Sequence, residues 1–317
     1  MTTAEQQNRF PFLQQFAEEM QIPADNLIQV FEVERTFHHR ILETDDPAAR
    51  QALYADLYAT VHPLLRQRSD LSPSIFYAAR AREARCLVLL FRKELVGRSV
   101  LDVGCGDGHF LLGIHELLPH GDLCGLDTSN VGLPHESAYP GNPIRFVRQD
   151  ISSFTLSRNF DVVFSNQVLE HLAPSDLPVH LRSICNTLTP GGRFIVSLPN
   201  RHWGPSDITR IIDNTYMGRV PAQGSHLNES SYGELIPLLR NCGFSDIKTV
   251  IPFAHVLPFL RSVRIRPWMN QLLEWSTTLR TITHFIKRRN RPLFTNPVIL
   301  ICQQRRDLRT TEAADEA

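Results

Sequence analysis

The chain has 317 residues, of which 42% are apolar and 21% charged, proportions ordinary for a soluble globular protein of one large domain with additions. The formal net charge is zero, so the whole chain offers no electrostatic footprint for nucleic acid, and six scattered cysteines without a C-x-x-C pair form neither a disulfide framework nor a zinc pattern. No apolar run approaches the ~20 residues that cross a bilayer, and the polar start carries no signal core, so a cytoplasmic protein is expected.

Residues 1–98 read as a helical N-terminal cap region. Phe12, Leu13 and Phe16 recur at helical spacing, as do Leu53, Leu57 and Val61. Pro73 after Ser72 marks a helix start, because proline at the first helical position lacks only an N–H that would be orphaned anyway. A helix is expected from about residue 74 to 95. Beyond 99 the texture changes. Short apolar runs at 99–103, 123–126, 144–147, 160–164 and 193–197 alternate with helical stretches around 109–118 and 175–188. Continuous apolarity suits strands buried on both faces of a parallel sheet, and the strand–helix repetition implies a doubly wound α/β fold over 99–304.

Residues 200–230 are rich in Pro, Gly, Ser and Asn and read as a loop that lines an acceptor pocket or acts as a lid. A helix over 231–241 ending at Gly243, a strand near 246–251, a helical insertion over 253–292 and a last strand over 297–302 follow. The polar tail 305–317 is expected to be disordered.

The chemistry starts at the first strand. Leu101-Asp102-Val103-Gly104-Cys105-Gly106-Asp107-Gly108 ends a buried strand in three glycines at alternate positions before a helix. Glycine lets backbone approach a ligand closely, and a helix N-terminus offers free N–H groups at the ligand-binding end of such a sheet. The spacing is not that of a dinucleotide fingerprint, because position 109 is His, and the Gly-Lys-Ser/Thr of a phosphate loop is absent. Asp102 and Asp107 would repel a pyrophosphate and suit a cofactor carrying an ammonium and a sulfonium. Asp127 ends the next strand, where a carboxylate can hold both hydroxyls of a ribose.

These residues resemble the first two motifs of the class I S-adenosylmethionine-dependent methyltransferases, the broad group that includes ubiquinone-biosynthesis O-methyltransferases. LDVGCGDG is similar to the first motif and GLDTS, with Asp127 and Thr128, to the second. RQDI, with Asp150 and Ile151, resembles the third, FDVVFSNQVLEHL the fourth and LTPGGRFIVSLPN the fifth. The ordered set covers 99–200, about a third of the chain. The resemblance implies S-adenosyl-L-methionine as cofactor and a seven-stranded, mostly parallel sheet whose last strand is antiparallel. It assigns Asp102, Gly104, Cys105, Gly106 and Gly108 to the cofactor loop, Asp127 and Thr128 to the ribose side, and Asp150 and Ile151 to the adenine. Asn166 and Gln167 would stand near the methyl group. The helix before the first strand offers Tyr77, Arg80 and Arg82 to the cofactor's methionine end.

Base-amine methyltransferases of the family carry Pro-Pro-aromatic where this chain has Asn166-Gln167-Val168, which argues against a nucleobase acceptor; the basic insertion keeps nucleic acid open. A small-molecule acceptor, most simply a hydroxyl, is expected. A hydroxyl needs a base or a metal, and Glu170, His171 and His226 are the catalytic candidates. Some relatives bind a divalent cation through Glu-x-x-Glu-His. Gln167 replaces the first Glu, so no metal is assigned. The alternative reading of Glu170-His171 is a helix cap that orders the loop. The stretch 257–291 interleaves arginines with Phe259, Trp268 and Trp275, which suits either a cover over the site or a peripheral membrane contact. Two alternatives stay open, a non-catalytic S-adenosylmethionine-binding module and a dinucleotide-dependent oxidoreductase. Oligomeric state is not legible.

Overall fold

The computed structural model describes residues 3–66, 73–128, 144–215, 217–252, 254, 257–285, 287–288, 291–292 and 297–305. The unbroken apolar runs become the central strands. β1 (Val100–Val103), β2 (Leu123–Asp127), β3 (Ile144–Arg148), β4 (Phe160–Asn166) and β5 (Leu188–Leu198) pair in parallel, and all four residues of β1 are buried. β6 (Phe244–Val250) and β7 (Arg264–Ile265) follow, then a two-residue hairpin of β8 (Lys287–Arg288) and β9 (Arg291–Pro292), and β10 (Val298–Gln304). The main sheet has the order β3-β2-β1-β4-β5-β10-β6-β7. β10 runs antiparallel to both neighbours, with Leu300 opposite Val196 and Ile301 opposite Lys248. The expected seven strands are all present, and β7 adds an eighth at the edge.

That extra strand has a local cause. Arg264 forms a two-pronged pair with Glu94 (3.0 and 2.6 Å) and donates to the Leu90 carbonyl (2.9 Å), which holds residues 264–265 against the edge of β6. The pair is buried on both sides, so the guanidinium fork acts as a fixed bolt rather than a surface ion pair.

Helices cover both faces. They are α1 (Thr3–Arg9), α2 (Leu13–Met20), α3 (Ala24–Glu43), α4 (Pro47–Arg66), α5 (Pro73–Leu90), α6 (Arg92–Leu95), α7 (His109–Leu117), α8 (Leu177–Thr187), α9 (Tyr232–Asn241), α10 (Trp268–Trp275) and α11 (Thr277–Phe285). On one face Val88, Phe91, Leu111 and Ile114 join a single apolar cluster with Val100, Val162 and Ile195. On the other, Phe31, Leu57, Leu181 and Leu239 share a cluster with Leu101, Val163 and Val196. The N-terminal helices α2–α4 therefore complete the core of one sheet face. Of the tail expected to be disordered, residues 306–317 lie outside the described residues, as does the side chain of Tyr77.

Strand order reverses at β1, whose neighbours are β2 and β4. Loops leaving β1 and β4 diverge there and open a crevice at the carboxyl ends of the strands.

Candidate active site

The glycine loop fills that crevice. Gly104 has φ +74°, and a Cβ at that position would lie 2.3 Å from Val168 Cγ2, so only glycine lets β1 turn against the segment after β4. The Gly104 and Cys105 N–H groups donate to the Leu126 carbonyl (2.7 and 3.2 Å), and Gly106 N–H donates to Asp127 Oδ2 (3.0 Å). The acid at the end of β2 thus braces the loop that ends β1. A Cβ at Gly106 would meet open space, and Gly108 caps α7. Cys105 is buried, and burial pushes its thiol up, away from the thiolate.

Three carboxyl groups converge on the loop. Asp102 is buried in β1, and burial, with repulsion from Asp127 and Asp107, raises its carboxyl well above the usual range. Asp107 faces Arg80 and His109, both at 3.5 Å; Arg82 is exposed. A cationic ligand would relieve this concentration of like charge. The ends of β2 and β3 meet through Gln149 N–H to the Asp127 carbonyl (3.1 Å) and Ile151 N–H to Thr128 Oγ1 (3.2 Å). Both oxygens of Asp150 accept from Ser152, from its N–H (2.9 Å) and its hydroxyl (2.7 Å). A groove of about 540 Å³ runs between these residues and α4, where Ala48, Ala52 and Ala55 keep the wall low.

α4 is fastened over the site. Arg50 Nε donates to Asp176 Oδ2 (3.0 Å), Nη2 bonds to Oδ1, and Tyr54 donates to Oδ2 (2.8 Å) while accepting from Ala173 N–H (2.8 Å). Arg50 Nη1 also takes the Thr44 and Asp45 carbonyls (2.6 and 2.8 Å).

The fourth-motif residues divide. At Gln167 the backbone is left-handed (φ +57°), its N–H donates to the Ser197 carbonyl (2.8 Å) and its side chain is exposed. Asn166, half-buried, ends β4. Glu170 and His171 lie in a short 3-10 turn, Leu169–His171. Glu170 is fully buried. Its carbonyl accepts from the Leu227 and Asn228 N–H groups (2.7 and 3.0 Å), yet neither carboxylate oxygen has a hydrogen-bond partner. Burial, only partly offset by His226, raises that carboxyl to about 7.

His226, from the loop expected to be a lid, joins this pair. His171 Nδ1 lies 3.1 Å from the Ser225 carbonyl and His226 Nδ1 lies 2.7 Å from Glu229 Oε1. A carbonyl and a carboxylate can only accept, so each ring carries a hydrogen on Nδ1 and leaves Nε2 as the atom for a ligand; in His171 that nitrogen is a lone pair, whereas His226 must first give up its Nε2 proton. One donor atom from each of Glu170, His171 and His226 falls within 4.8 Å of the other two. Burial and the neighbouring His226 lower His171 to about 3. Against burial, the bond to Glu229 and the charges of Asp207 and Glu170 hold His226 up to about 9.

Residues not anticipated from sequence hold the loop in place. Asp207 Oδ2 accepts from Gly224 N–H (2.9 Å) and His226 N–H (3.3 Å), and Glu34 of α3 accepts from Ser225 N–H (2.7 Å). Glu229 Oε1 also accepts from Ser206 N–H (2.7 Å). At Gly224 a Cβ would lie 2.5 Å from Glu34 Oε2 and from Ile208 Cγ2, so the loop passes through a gap that fits only glycine.

A family model described as "Methyltransferase domain" matches residues 76–249, more than half of the chain. A trans-aconitate 2-methyltransferase of Escherichia coli strain SE11 is 26% identical over 74% of this chain and 94% of its own length. One of Deinococcus radiodurans is 28% identical over 63% of this chain and 76% of its own. Among solved structures, a Burkholderia thailandensis 1,6-didemethyltoxoflavin-N1-methyltransferase is similar at 20% identity and a TM-score of 0.49, over 83% of this chain and 92% of that one. The chain belongs to the methyltransferase-domain family and is an S-adenosylmethionine-dependent methyltransferase.

Proposed function

We propose that this enzyme methylates a hydroxyl oxygen of a small-molecule acceptor, and that Glu170, His171 and His226 hold a divalent cation against which that oxygen is positioned. S-adenosylmethionine, when bound, supplies a methyl group on a sulfonium, an electrophile whose leaving group departs neutral. The glycine loop, Asp102 and Asp127 would hold its charged and ribose portions, with Thr128, Asp150, Ile151 and the low alanine wall of α4 around the adenine. The open space over Gly106 and the crowding of acids at Asp102 fit a cationic cofactor. A small acceptor agrees with relatives named for trans-aconitate.

The observation that carries the reading is the carboxylate of Glu170, fully buried with no partner, facing two histidines whose Nδ1 hydrogens are committed elsewhere. A buried carboxylate left alone costs several kcal/mol, roughly. Two imidazoles and one carboxylate form a donor set suited to a first-row divalent ion. A hydroxyl must lose its proton as the methyl arrives, and a cation lowers its pKa while aligning it. His171 acting alone as base is the weaker reading, because burial lowers it to about 3, far below the working pH of a general base.

The test is Co²⁺ titration followed by visible absorption, on the wild type and His226→Ala, beside S-adenosylhomocysteine binding to each. Intense d–d bands in the wild type alone, with unchanged adenosyl binding, support the reading. Absence of bands in the wild type sinks the cation and returns proton acceptance to His171. Failure to bind S-adenosylhomocysteine at all would sink the cofactor assignment. The acceptor atom is tested by methyl transfer from labelled cofactor to panels of hydroxylated and amino compounds, where labelling of amines alone overturns the oxygen.

A further inference from the structure

α10 is amphipathic in the inverted sense. Its polar side is the buried one. Asn270, 6% exposed, donates to Tyr232 Oη (3.1 Å), Thr249 Oγ1 (3.2 Å) and the Val250 carbonyl (3.3 Å). Glu274, 2% exposed, accepts from Asn200 Nδ2 (2.7 Å) and Tyr232 N–H (2.9 Å). The opposite side carries Trp268, Met269, Leu272 and Trp275 at helical spacing, all exposed, with Trp275 at 77%. Phe259 (74% exposed) precedes them and Ile282 in α11 follows. Of thirteen large exposed apolar side chains among the described residues, eight lie between 259 and 282. A helix of a water-soluble surface turns its apolar stripe inward, and a contiguous exposed patch marks an interaction site.

Charge selects the occupant. Between Asp246 and Asp307 the sequence contains one acidic residue, Glu274, which is the buried one. The same stretch holds eight Arg and Lys between 257 and 292. Arg264 is spent on Glu94, but Arg266 is exposed beside Trp268. Tryptophans and a phenylalanine flanked by cations with no exposed acid suit an anionic lipid surface, where rings enter the headgroup region and arginines meet phosphates. A second copy placed face to face would instead bring two basic segments together with no acid to neutralise them. No described helix is long and apolar enough to cross a membrane, so the contact is one of lying on the surface.

We propose that the face formed by Phe259, α10 and α11 docks this enzyme on an anionic bilayer. The docking is independent of what is methylated. Asn200, which follows β5 at the crevice end of the sheet, bonds Glu274 directly, so the docking helix is anchored at the rim of the active site.

The experiment is co-sedimentation of the full chain with vesicles of phosphatidylcholine alone or mixed with phosphatidylglycerol, with tryptophan emission read in parallel. Partition onto the anionic vesicles about tenfold above that onto neutral ones, falling with added salt, is expected. Emission should shift to shorter wavelength as Trp268 and Trp275 leave water, while Trp203, already buried, contributes a constant background. The double variant Trp268→Ser and Trp275→Ser should lose about tenfold in partition and the emission shift. Arg266→Glu should weaken binding to anionic vesicles only. Thermal unfolding and S-adenosylhomocysteine affinity of each variant serve as controls on the fold. Equal or absent binding to both vesicle types overturns the proposal. So does self-association of the wild type that the tryptophan variant abolishes, because a second copy would then own the face.

Discussion

His171 and His226 meet edge to face, ring centroids 4.7 Å apart at 82°, and each has its Nδ1 occupied by an acceptor from the segment 225–229. The second of those acceptors is Glu229, which fixes the orientation of His226 without itself entering the donor cluster. A carboxylate behind a ligating imidazole sets its tautomer and basicity. Glu229→Ala should therefore weaken divalent-cation affinity by about 10–100-fold while leaving the ligand set intact. Calorimetric titration with Mn²⁺ reads the effect. An unchanged affinity would show that His226 is oriented by the loop backbone alone.

Asp102 predicts a pH dependence of cofactor binding. Burial first, then Asp127 and Asp107, raise its carboxyl well above the usual range, so the free enzyme keeps a proton there to higher pH than an ordinary aspartate does. A bound ammonium or sulfonium favours the carboxylate, and binding then releases that proton. Affinity for S-adenosylhomocysteine, which retains the ammonium, should rise with pH by up to about tenfold per unit until the proton is gone from the free enzyme. Asp102→Asn, which cannot ionise, should bind more weakly and without that slope. Titration calorimetry in buffers of different ionisation enthalpy counts the protons directly.

The glycine turn after β1 was legible because its signals are short in sequence. Gly104, Gly106 and Gly108 announce a backbone constraint that local sterics impose, and Asp127 follows from the end of the next strand. Unbroken apolarity marked β1 through β5 for the same reason. Glu170, His171 and His226 were each singled out from sequence, but their convergence was not legible. His226 reaches Glu170 and His171 only because Asp207 and Glu34 pin the loop, and no periodicity encodes that closure. One signal was present. Leu27, Val30, Phe31, Glu34 and Ile41 are the buried positions of α3, so an acid occupies the apolar stripe of a helix. A carboxyl at a core position needs a partner, and here it is the Ser225 N–H. The short strand β7 also escaped notice, since its cause is a distant bolt from Arg264 to Glu94 rather than strand propensity.

Glu34 predicts a pH dependence of stability. Burial, reinforced by Asp207, raises its carboxyl to about 8. The folded state then holds the proton more tightly than the unfolded state. The resulting contribution is fully present below the usual glutamate value and is lost as pH rises through about 8. Over that window Glu34 should reduce stability by at most about 1.4 kcal/mol per unit. Glu34→Gln keeps an oxygen for Ser225 N–H and removes the titration, so its urea midpoint should fall less between the two ends of the window than that of the wild type. Parallel pH profiles of the two proteins would assign the slope to other groups.

Arg50 and Asp176 predict a coupled loss. Both are nearly inaccessible, and the carboxylate takes two guanidinium donors and the Tyr54 hydroxyl, joining α4 to the segment just after Glu170 and His171. Removing one partner leaves the other charge buried and unpaired, so Asp176→Ala should cost about 3–5 kcal/mol in chemical denaturation. Arg50→Met should cost a similar amount by exposing the lone carboxylate to an apolar setting. The double variant removes both charges at once. Its loss should fall well short of the sum of the singles, with an interaction energy of about 2 kcal/mol or more. Additive losses would mean that the two side chains act through separate contacts, Arg50 through the Thr44 and Asp45 carbonyls and Asp176 through Tyr54. Because α4 also forms the alanine wall of the groove, any variant that loosens this bolt should raise the dissociation constant for S-adenosylhomocysteine in step with its loss of stability. A variant that unfolds more easily yet binds normally would separate the cap from the cofactor site.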